Sequence, residues 1–392
     1  MAKKKEELDY ITHVSKAKIG GYKSIESVSI EFEKGLNILI GQNGTGKSNF
    51  FEALSFTLII QDFSKIKIPH SWDIDFITFK KKDINWKKQG HIPNQFIGVT
   101  FNQKISINEN NVLNSMNLDE NDPILLFHGN PHGFWGELDS RKNYLSIYPN
   151  HFISFNLPES LEGVEKPLHL NFEISDPFTY SVSSINLIES KLSFDEFSTL
   201  FKEKKKLDKT LFHHHFEFNE SIKRKVSQVT QIEDFRISNN INIYQNEKRI
   251  TIKDIILEFK VHGEWMPWSW LSDGTKRLFY IVSEVASQEH GITLIEEPEL
   301  GIHPHQFHLL MNFLKEESRD KQIIVSTHSP QALDYLDADE LSHIIIADYD
   351  DKKGTQLRKL NAKEKKDALK FTKEVGYLSD YWLYADLEQR AE

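Results

Sequence analysis

Apolar and polar residues alternate along Val28–Phe32, a period of two that predicts a strand with one face in a core. Leu36–Ile40 is almost wholly apolar, which predicts a strand buried on both faces. A glycine-rich turn, Gly41–Gly46, follows, and Lys47–Leu58 then predicts a helix. Phe96–Phe101 predicts a further strand. From about Asn108 to Asn240 the pattern weakens, with no repeat and no sustained heptads. After Thr251 it sharpens again. Ile292–Ile295 and Gln322–Ser326 predict buried parallel strands, Gln306–Leu314 a helix between them, and His343–Ala347 another strand. Ala362–Glu392 predicts helix and carries the aromatics Tyr377, Tyr381, Trp382 and Tyr384. Strand–helix–strand alternation of this kind predicts an α/β sheet with parallel strands.

Four segments follow from these shifts in pattern. Residues 1–107 form an N-terminal lobe, 108–250 an inserted α/β or helical segment, 251–350 a C-terminal lobe, and 351–392 a helical tail. Composition fits a globular chain: of 392 residues, 39% are hydrophobic and 27% charged, enough apolar surface for a sizeable core. The formal net charge of −10 argues against a general nucleic-acid coat, though not against a local basic groove. There is no cysteine, which excludes disulfides and thiolate metal sites. The charged N-terminus lacks the apolar core of a signal peptide, and no apolar run is long enough for a membrane span. The expectation is a soluble cytoplasmic protein with no membrane partner.

Chemistry enters at four places. Gly41-Gln-Asn-Gly-Thr-Gly-Lys47-Ser48 is a phosphate loop between a buried strand and a helix. Its glycines let backbone N–H groups curl around phosphates, Lys47 reaches the outer phosphates, and the Ser48 hydroxyl suits Mg²⁺. Asn43, Gly44, Gly46, Lys47, Ser48 and Asn49 are the expected nucleotide contacts. Ile292–Ile295 runs into Glu296-Glu297, which sets two carboxylates at the carboxyl edge of a parallel sheet, where α/β ligands bind. Glu296 is the candidate Mg²⁺ ligand, through water, and Glu297 the candidate general base. Leu271-Ser-Asp-Gly-Thr-Lys-Arg277 places Ser272 and Gly274 at a helix start, 24 residues before Glu296. It is a second phosphate-binding surface, most simply explained as serving a nucleotide held by another copy. His328, in Ser326-Thr-His-Ser-Pro330, follows a strand at the same sheet edge and is placed to contact a γ-phosphate or the attacking water.

In order and kind these segments resemble the motifs of ABC ATPases: Walker A, signature, Walker B and switch histidine, with Glu299–Pro304 where that family has its D-loop. More than two hundred residues separate Ser48 from Ser272, which looks like the split heads of the SMC, RecF and OLD-type group. Ile19-Gly-Gly-Tyr-Lys-Ser-Ile25, the Leu-Ser-Asp-Gly-Thr signature and Glu-Glu-Pro-Glu-Leu-Gly-Ile-His-Pro look most like OLD-like AAA-ATPases, frequent in bacterial antiphage and toxin–antitoxin-like modules. The resemblance covers about half the chain and implies an ABC/SMC-type ATPase head: a P-loop and a mixed sheet flanked by helices, split by an insert. It implies ATP and Mg²⁺ as ligands and a homodimer closed around two nucleotides, with higher oligomers open. OLD-type nucleases carry a Toprim domain after the ATPase, and too few residues follow Asp350 for one. The resemblance therefore implies a separate effector, a nuclease or toxin, with DNA as a further candidate partner. The alternatives are a RecF-like DNA-repair ATPase and, disfavoured by the motif spacing, a transporter ATPase. Gln61, Gln95 and Gln103 all remain candidates for the Q-loop glutamine.

Three features take plainer readings. His213-His-His215 suits a solvated loop or helix face rather than a metal site. Trp265, Trp268 and Trp270 are expected to pack the approach to the signature against the sheet, with base stacking as the lesser reading. The tail aromatics are expected to cover the sheet rather than to dock a partner.

Overall fold

A computed structural model describes residues 11–58, 71–79, 83–91, 102–107, 110–111, 151–153, 170–175, 179–182, 188–190, 208–238, 242–245, 249–255, 257–287 and 292–385. The strand expected at Phe96–Phe101, the candidates Gln61 and Gln95, and most of 108–207 lie outside the described residues. The chain forms two interleaved units. One comprises residues 1–154, 289–298 and 314–392, and the other 155–288 and 299–313.

The first unit is built on a sheet that, among the described residues, has twelve strands. Its central elements are β1 (Ile11–Tyr22), β2 (Ile25–Glu31), β3 (Leu36–Ile40) and the helix α1 (Lys47–Leu58). The strand and the helix on either side of the phosphate loop have the bounds that the apolar pattern predicts. All five residues of β3 are buried, whereas β2 alternates buried and exposed. The difference follows from position, since a central strand is covered on both faces and a more lateral one on only one.

In the second unit, α2 (Glu220–Val229) precedes a three-stranded sheet of β4 (Ile232–Ile237), β5 (Leu257–Val261) and β6 (Glu264–Pro267). Asn219 caps α2, its side chain accepting from the N–H groups of Ser221 and Ile222. A helix, α3 (Asp273–Ser287), follows. Aromatic rings fasten α3 to this sheet: Phe279 lies 5.2 Å from Phe235 and 5.1 Å from Phe259, both edge-on. Edge-to-face packing of this kind adds to the stabilisation from burial alone.

The tryptophans before the signature divide. Trp268 packs against Phe259, Phe279 and Tyr280. Trp265 receives the Arg236 guanidinium 3.9 Å over its ring. Trp270 is 74% exposed, so the expectation that all three pack inward fails at this residue. It is the last residue of the 3₁₀ turn Trp268–Trp270 and faces solvent, while Trp268 fills the aromatic cluster.

The chain then supplies β7 (Ile292–Glu296), α4 (Pro304–Glu317), β8 (Gln322–Thr327), β9 (Ile344–Asp350), β10 (Gly354–Lys359), α5 (Ala362–Glu374) and α6 (Leu378–Ala385). In the large sheet the order runs β1-β2-β10-β9-β3-β8-β7. β9, β3, β8 and β7 are parallel neighbours, and β1, β2 and β10 add antiparallel pairs, giving the mixed α/β sheet that the sequence implies. β7 and β8 are buried throughout. Gln322 ties distant segments together: its amide nitrogen donates to the carbonyls of Val14 and Glu33, and its oxygen accepts from Val14 N–H.

A 3₁₀ segment, Pro330–Tyr335, follows His328 directly. Asp334 within it holds the start of α6, accepting from Ser379 N at 2.8 Å and Ser379 Oγ at 2.7 Å. The tail aromatics divide as the tryptophans do. Tyr381 and Trp382 are buried, while Tyr377 and Tyr384 are 70% and 82% exposed, so only half of this set covers the core. Among the described residues no helix is long and apolar enough to cross a membrane.

Candidate nucleotide site

Strand register brings three of the four motifs to one edge. β3 ends at Ile40, which pairs with Thr327, and Ser326 in turn pairs with Glu296. The phosphate loop, the histidine segment and the acidic pair therefore leave the carboxyl ends of adjacent parallel strands, the position where α/β sheets bind ligands.

The loop's glycines have separate reasons. A Cβ on Gly41 would stand 2.3 Å from the Ala347 carbonyl of β9, so only glycine lets the loop leave the sheet here. Gly44 and Gly46 have φ of 85° and 92°, in the left-handed region that favours glycine. A Cβ on Gly44 would meet nothing within 4 Å, whereas one on Gly46 would stand 1.9 Å from Thr355 Oγ1 and 2.8 Å from Ser24 Oγ. Gly44 thus lines an open cradle, and Gly46 is pressed against β10 and the β1–β2 turn. The helical ladder of α1 begins at once, with Phe50 N–H donating to Gly46 O at 2.9 Å.

Lys47 is buried, and its ammonium donates to the carbonyls of Gly41 at 2.7 Å and Gln42 at 2.8 Å. Thr45 Oγ1 donates to the same Gln42 carbonyl at 2.9 Å. Ser48 and Asn43 are exposed at the rim of the loop. Asn49 turns the other way, its amide nitrogen donating to Ser24 Oγ at 2.7 Å, and Ser24 shares a 2.7 Å hydrogen bond with Thr355 Oγ1. Lys23 pairs with Glu52, one turn further along α1. Burial, and then the hydrogen bond and charge of Glu52, push the Tyr22 phenol well above its usual range. The β1–β2 turn is thus clamped to the helix that carries the phosphate loop.

Glu296 is buried at the end of β7. Glu297 adopts φ 43°, a left-handed conformation unusual for a side chain of this size, and its N–H donates to Ser326 O at 2.8 Å. Its Oε1 lies 3.8 Å from His328 Nδ1. A non-glycine residue held in this region marks a place where the surroundings override local preference, often a functional one. Ser329 N–H donates to Thr327 Oγ1 at 2.9 Å, shaping the turn that carries His328. The residues fit a magnesium–nucleotide complex: an open glycine cradle, a lysine at the loop, an exposed Ser48 at a helix start, and a buried acid whose strand neighbour, Ser326, has a fully buried hydroxyl with no hydrogen-bond partner among the described residues.

Ser272 and Gly274 belong to the second unit. Ser272 is exposed at the start of α3, where its Oγ accepts from Thr275 N at 3.2 Å and lies 2.8 Å from Thr275 Oγ1. This is ordinary helix capping. Arg277 Nη1 donates to Leu300 O at 2.5 Å. A Cβ on Gly274 would stand 2.4 Å from Gly301 O. The signature glycine is thus required by the close approach of the Leu300–Gly301 segment, a reason the motif alone does not disclose. Sequence reasoning also missed Ser24 and Thr355, hydroxyls that meet only in the fold, and the unanswered hydroxyl of Ser326.

Among known proteins, a profile of the family described as "AAA domain, putative AbiEii toxin, Type IV TA system" matches residues 36–334. The chain is 24% identical over 353 residues to Endonuclease GajA of Bacillus cereus (strain VD045), covering 83% of this chain and 57% of that protein. It is 35% identical over 81 residues to the DNA replication and repair protein RecF of Colwellia psychrerythraea, covering 20% of this chain and 22% of RecF. The chain therefore spans little more than half of GajA and about a fifth of RecF. Among solved structures, the SMC head domain from Thermotoga maritima covers 89% of this chain and all of its own length, at 14% identity and a TM-score of 0.43. The matched profile takes in the phosphate loop, signature, acidic pair and His328. The chain belongs to this AAA-domain family and, with it, to the SMC-, RecF- and OLD-like ABC-type ATPases.

Proposed function

We propose that the chain binds and hydrolyses ATP, and that two copies close head to head around two nucleotides. The observation that carries this reading is the 3.8 Å approach of Glu297 to His328, beside Glu296 and the phosphate loop on one sheet edge. Lys47 turns from the Gly41 and Gln42 carbonyls to the β- and γ-phosphates, and Ser48 and, through water, Glu296 would hold Mg²⁺. That ion would neutralise charge on the phosphate oxygens. Glu297 accepts the proton of the attacking water as its oxygen bonds to the γ-phosphorus, and ADP leaves with the electrons of the broken P–O bond. His328 orients that water or the γ-phosphate. Ser272 and Gly274 face the nucleotide of the second copy, with the α3 N-terminus directed at its phosphates.

In this reading closure is the signal. The chain acts in the bacterial cytoplasm as a sensor or scaffold of a defence module, antiphage or toxin–antitoxin-like, and a separate nuclease or toxin is the effector. The family description and the likeness to GajA support that setting. Residues 108–250 would read out the closed state.

The test is Glu297→Gln in size-exclusion chromatography. The variant is expected to bind ATP, to hydrolyse it at least about a hundredfold more slowly, and to elute as a dimer with ATP and as a monomer without. A monomer in saturating ATP overturns the reading. The stretch similar to RecF favours a second reading, in which the closed form binds DNA directly. That reading requires ATP-dependent DNA binding that weakens steeply with salt, and no binding at low salt removes it.

A further inference from the structure

Ser326 stands in an unusual row. Parallel register pairs it with Leu39 on β3 and with Glu296 on β7, and Leu39 pairs on its other side with Ile345 on β9. Paired residues of parallel strands point to the same face, and neighbouring strands lie about 4.8 Å apart. Leu39 and Ile345 belong to the core cluster that contains Phe50, Phe51 and Leu54 of α1, so this is the face that α1 covers. The row therefore reads Ile345, Leu39, Ser326, Glu296: two apolar residues, then two polar ones, on one face of the sheet.

An apolar side chain would fill the third position at no polar cost. Ser326 is instead fully buried, and its Oγ finds no hydrogen-bond partner among the described residues. Its backbone is already committed, its carbonyl accepting from Glu297 N–H at 2.8 Å. A buried, unanswered hydroxyl is disfavoured, and in a folded protein it calls for a reason. The neighbouring polar group on the same face is the Glu296 carboxylate. A glutamate side chain has three rotatable bonds, so its carboxylate needs a partner to hold one orientation.

We propose that Ser326 is a positioning residue for Glu296: in the nucleotide-loaded state its hydroxyl donates to the Glu296 carboxylate and fixes the orientation in which that acid serves the divalent cation. The inference rests on the nucleotide reading above and adds to it a residue outside the four motifs' expected ligands. Carboxylates that serve metals are commonly held by such outer hydrogen bonds, and losing one weakens metal binding.

The test uses Mn²⁺ in place of Mg²⁺, titrated by electron paramagnetic resonance into the Glu297→Gln chain with saturating ATP. Adding Ser326→Ala is expected to raise the Mn²⁺ midpoint about tenfold. ATP binding in EDTA, read with a fluorescent analogue, and the thermal midpoint should stay unchanged, since neither depends on the hydroxyl. Ser326→Thr keeps the hydroxyl and should recover most of the Mn²⁺ affinity. A Mn²⁺ midpoint for Ser326→Ala within about twofold of its parent, or a Thr variant as weak as the Ala variant, overturns the proposal alone. A parent that binds no Mn²⁺ with ATP overturns the nucleotide reading and this proposal with it.

Discussion

The Asn49 amide nitrogen lies 2.7 Å from Ser24 Oγ, joining the first turn of α1 to the β1–β2 turn directly behind Gly46. Ser24 also shares a hydrogen bond with Thr355 Oγ1, so three side chains from three elements support the phosphate loop from below. Ser24→Ala leaves the Asn49 and Thr355 groups without this partner. The expected cost is about 1–3 kcal/mol of stability, with several-fold weaker ATP binding. Denaturant unfolding and an ATP titration check the two effects together.

Gly274→Ala is expected to destabilise the chain even without nucleotide. The added Cβ would meet a backbone oxygen at 2.4 Å, which cannot swing aside as a flexible side chain can. A loss of about 1–3 kcal/mol is expected from overpacking of this kind. Ser272→Ala, at an exposed cap, should cost about 1 kcal/mol. Comparing the two in thermal unfolding separates the steric demand on this glycine from any effect on association. An unchanged midpoint for Gly274→Ala would mean that the Leu300–Gly301 segment yields easily.

Trp270→Ala is expected to leave the thermal midpoint of the monomer in place, because the side chain is 74% exposed. If α3 meets a second copy, Trp270 and the exposed Leu300 lie at its rim, and large apolar residues of this kind dominate interfaces. In the Glu297→Gln background the ATP-driven dimer should then weaken at least about tenfold, or 1.4 kcal/mol. Analytical ultracentrifugation measures the change.

Lys359 supplies a pH dependence. Burial lowers its pKa to about 8; Glu33 opposes this, Lys365 adds to it, and Glu31 opposes it again. The unfolded chain keeps the ordinary lysine value near 10.5. Between these values the unfolded state binds more protons than the folded one, so stability rises as pH increases from about 8 to about 10.5. Below pH 8 both states are protonated and the folded chain carries the full penalty. Subtracting the unfolding free energies of Lys359→Met from those of the parent isolates this increment, and a flat difference across the window would contradict it.

The parts of this fold legible in the sequence are those in which local pattern and burial agree. Leu36–Ile40 lies between strands and is apolar at every position but Asn37, and Lys47–Leu58 follows a loop whose glycines announce it. The acidic pair and His328 were legible because each ends an apolar strand. Hydroxyls carry no such signal. Ser24 and Thr355 are 331 positions apart, and only the pairing of β2 with β10 brings them together. Ser326 is read in sequence as the end of a strand, and its isolation beside Glu296 emerges only from register. The tryptophans and tail aromatics divide because alternate residues of a short turn or helix face opposite ways, a choice that hydrophobicity alone does not make.

The grip of Asp334 on Ser379 has a mechanical consequence. The aspartate belongs to the segment that leaves His328, and the serine begins a helix whose Leu383 and Tyr384 stand in solvent. With both carboxylate oxygens engaged, this joint fixes α6 to the chain that leaves the histidine turn, so the exposed Leu383 and Tyr384 are carried on the same support as His328.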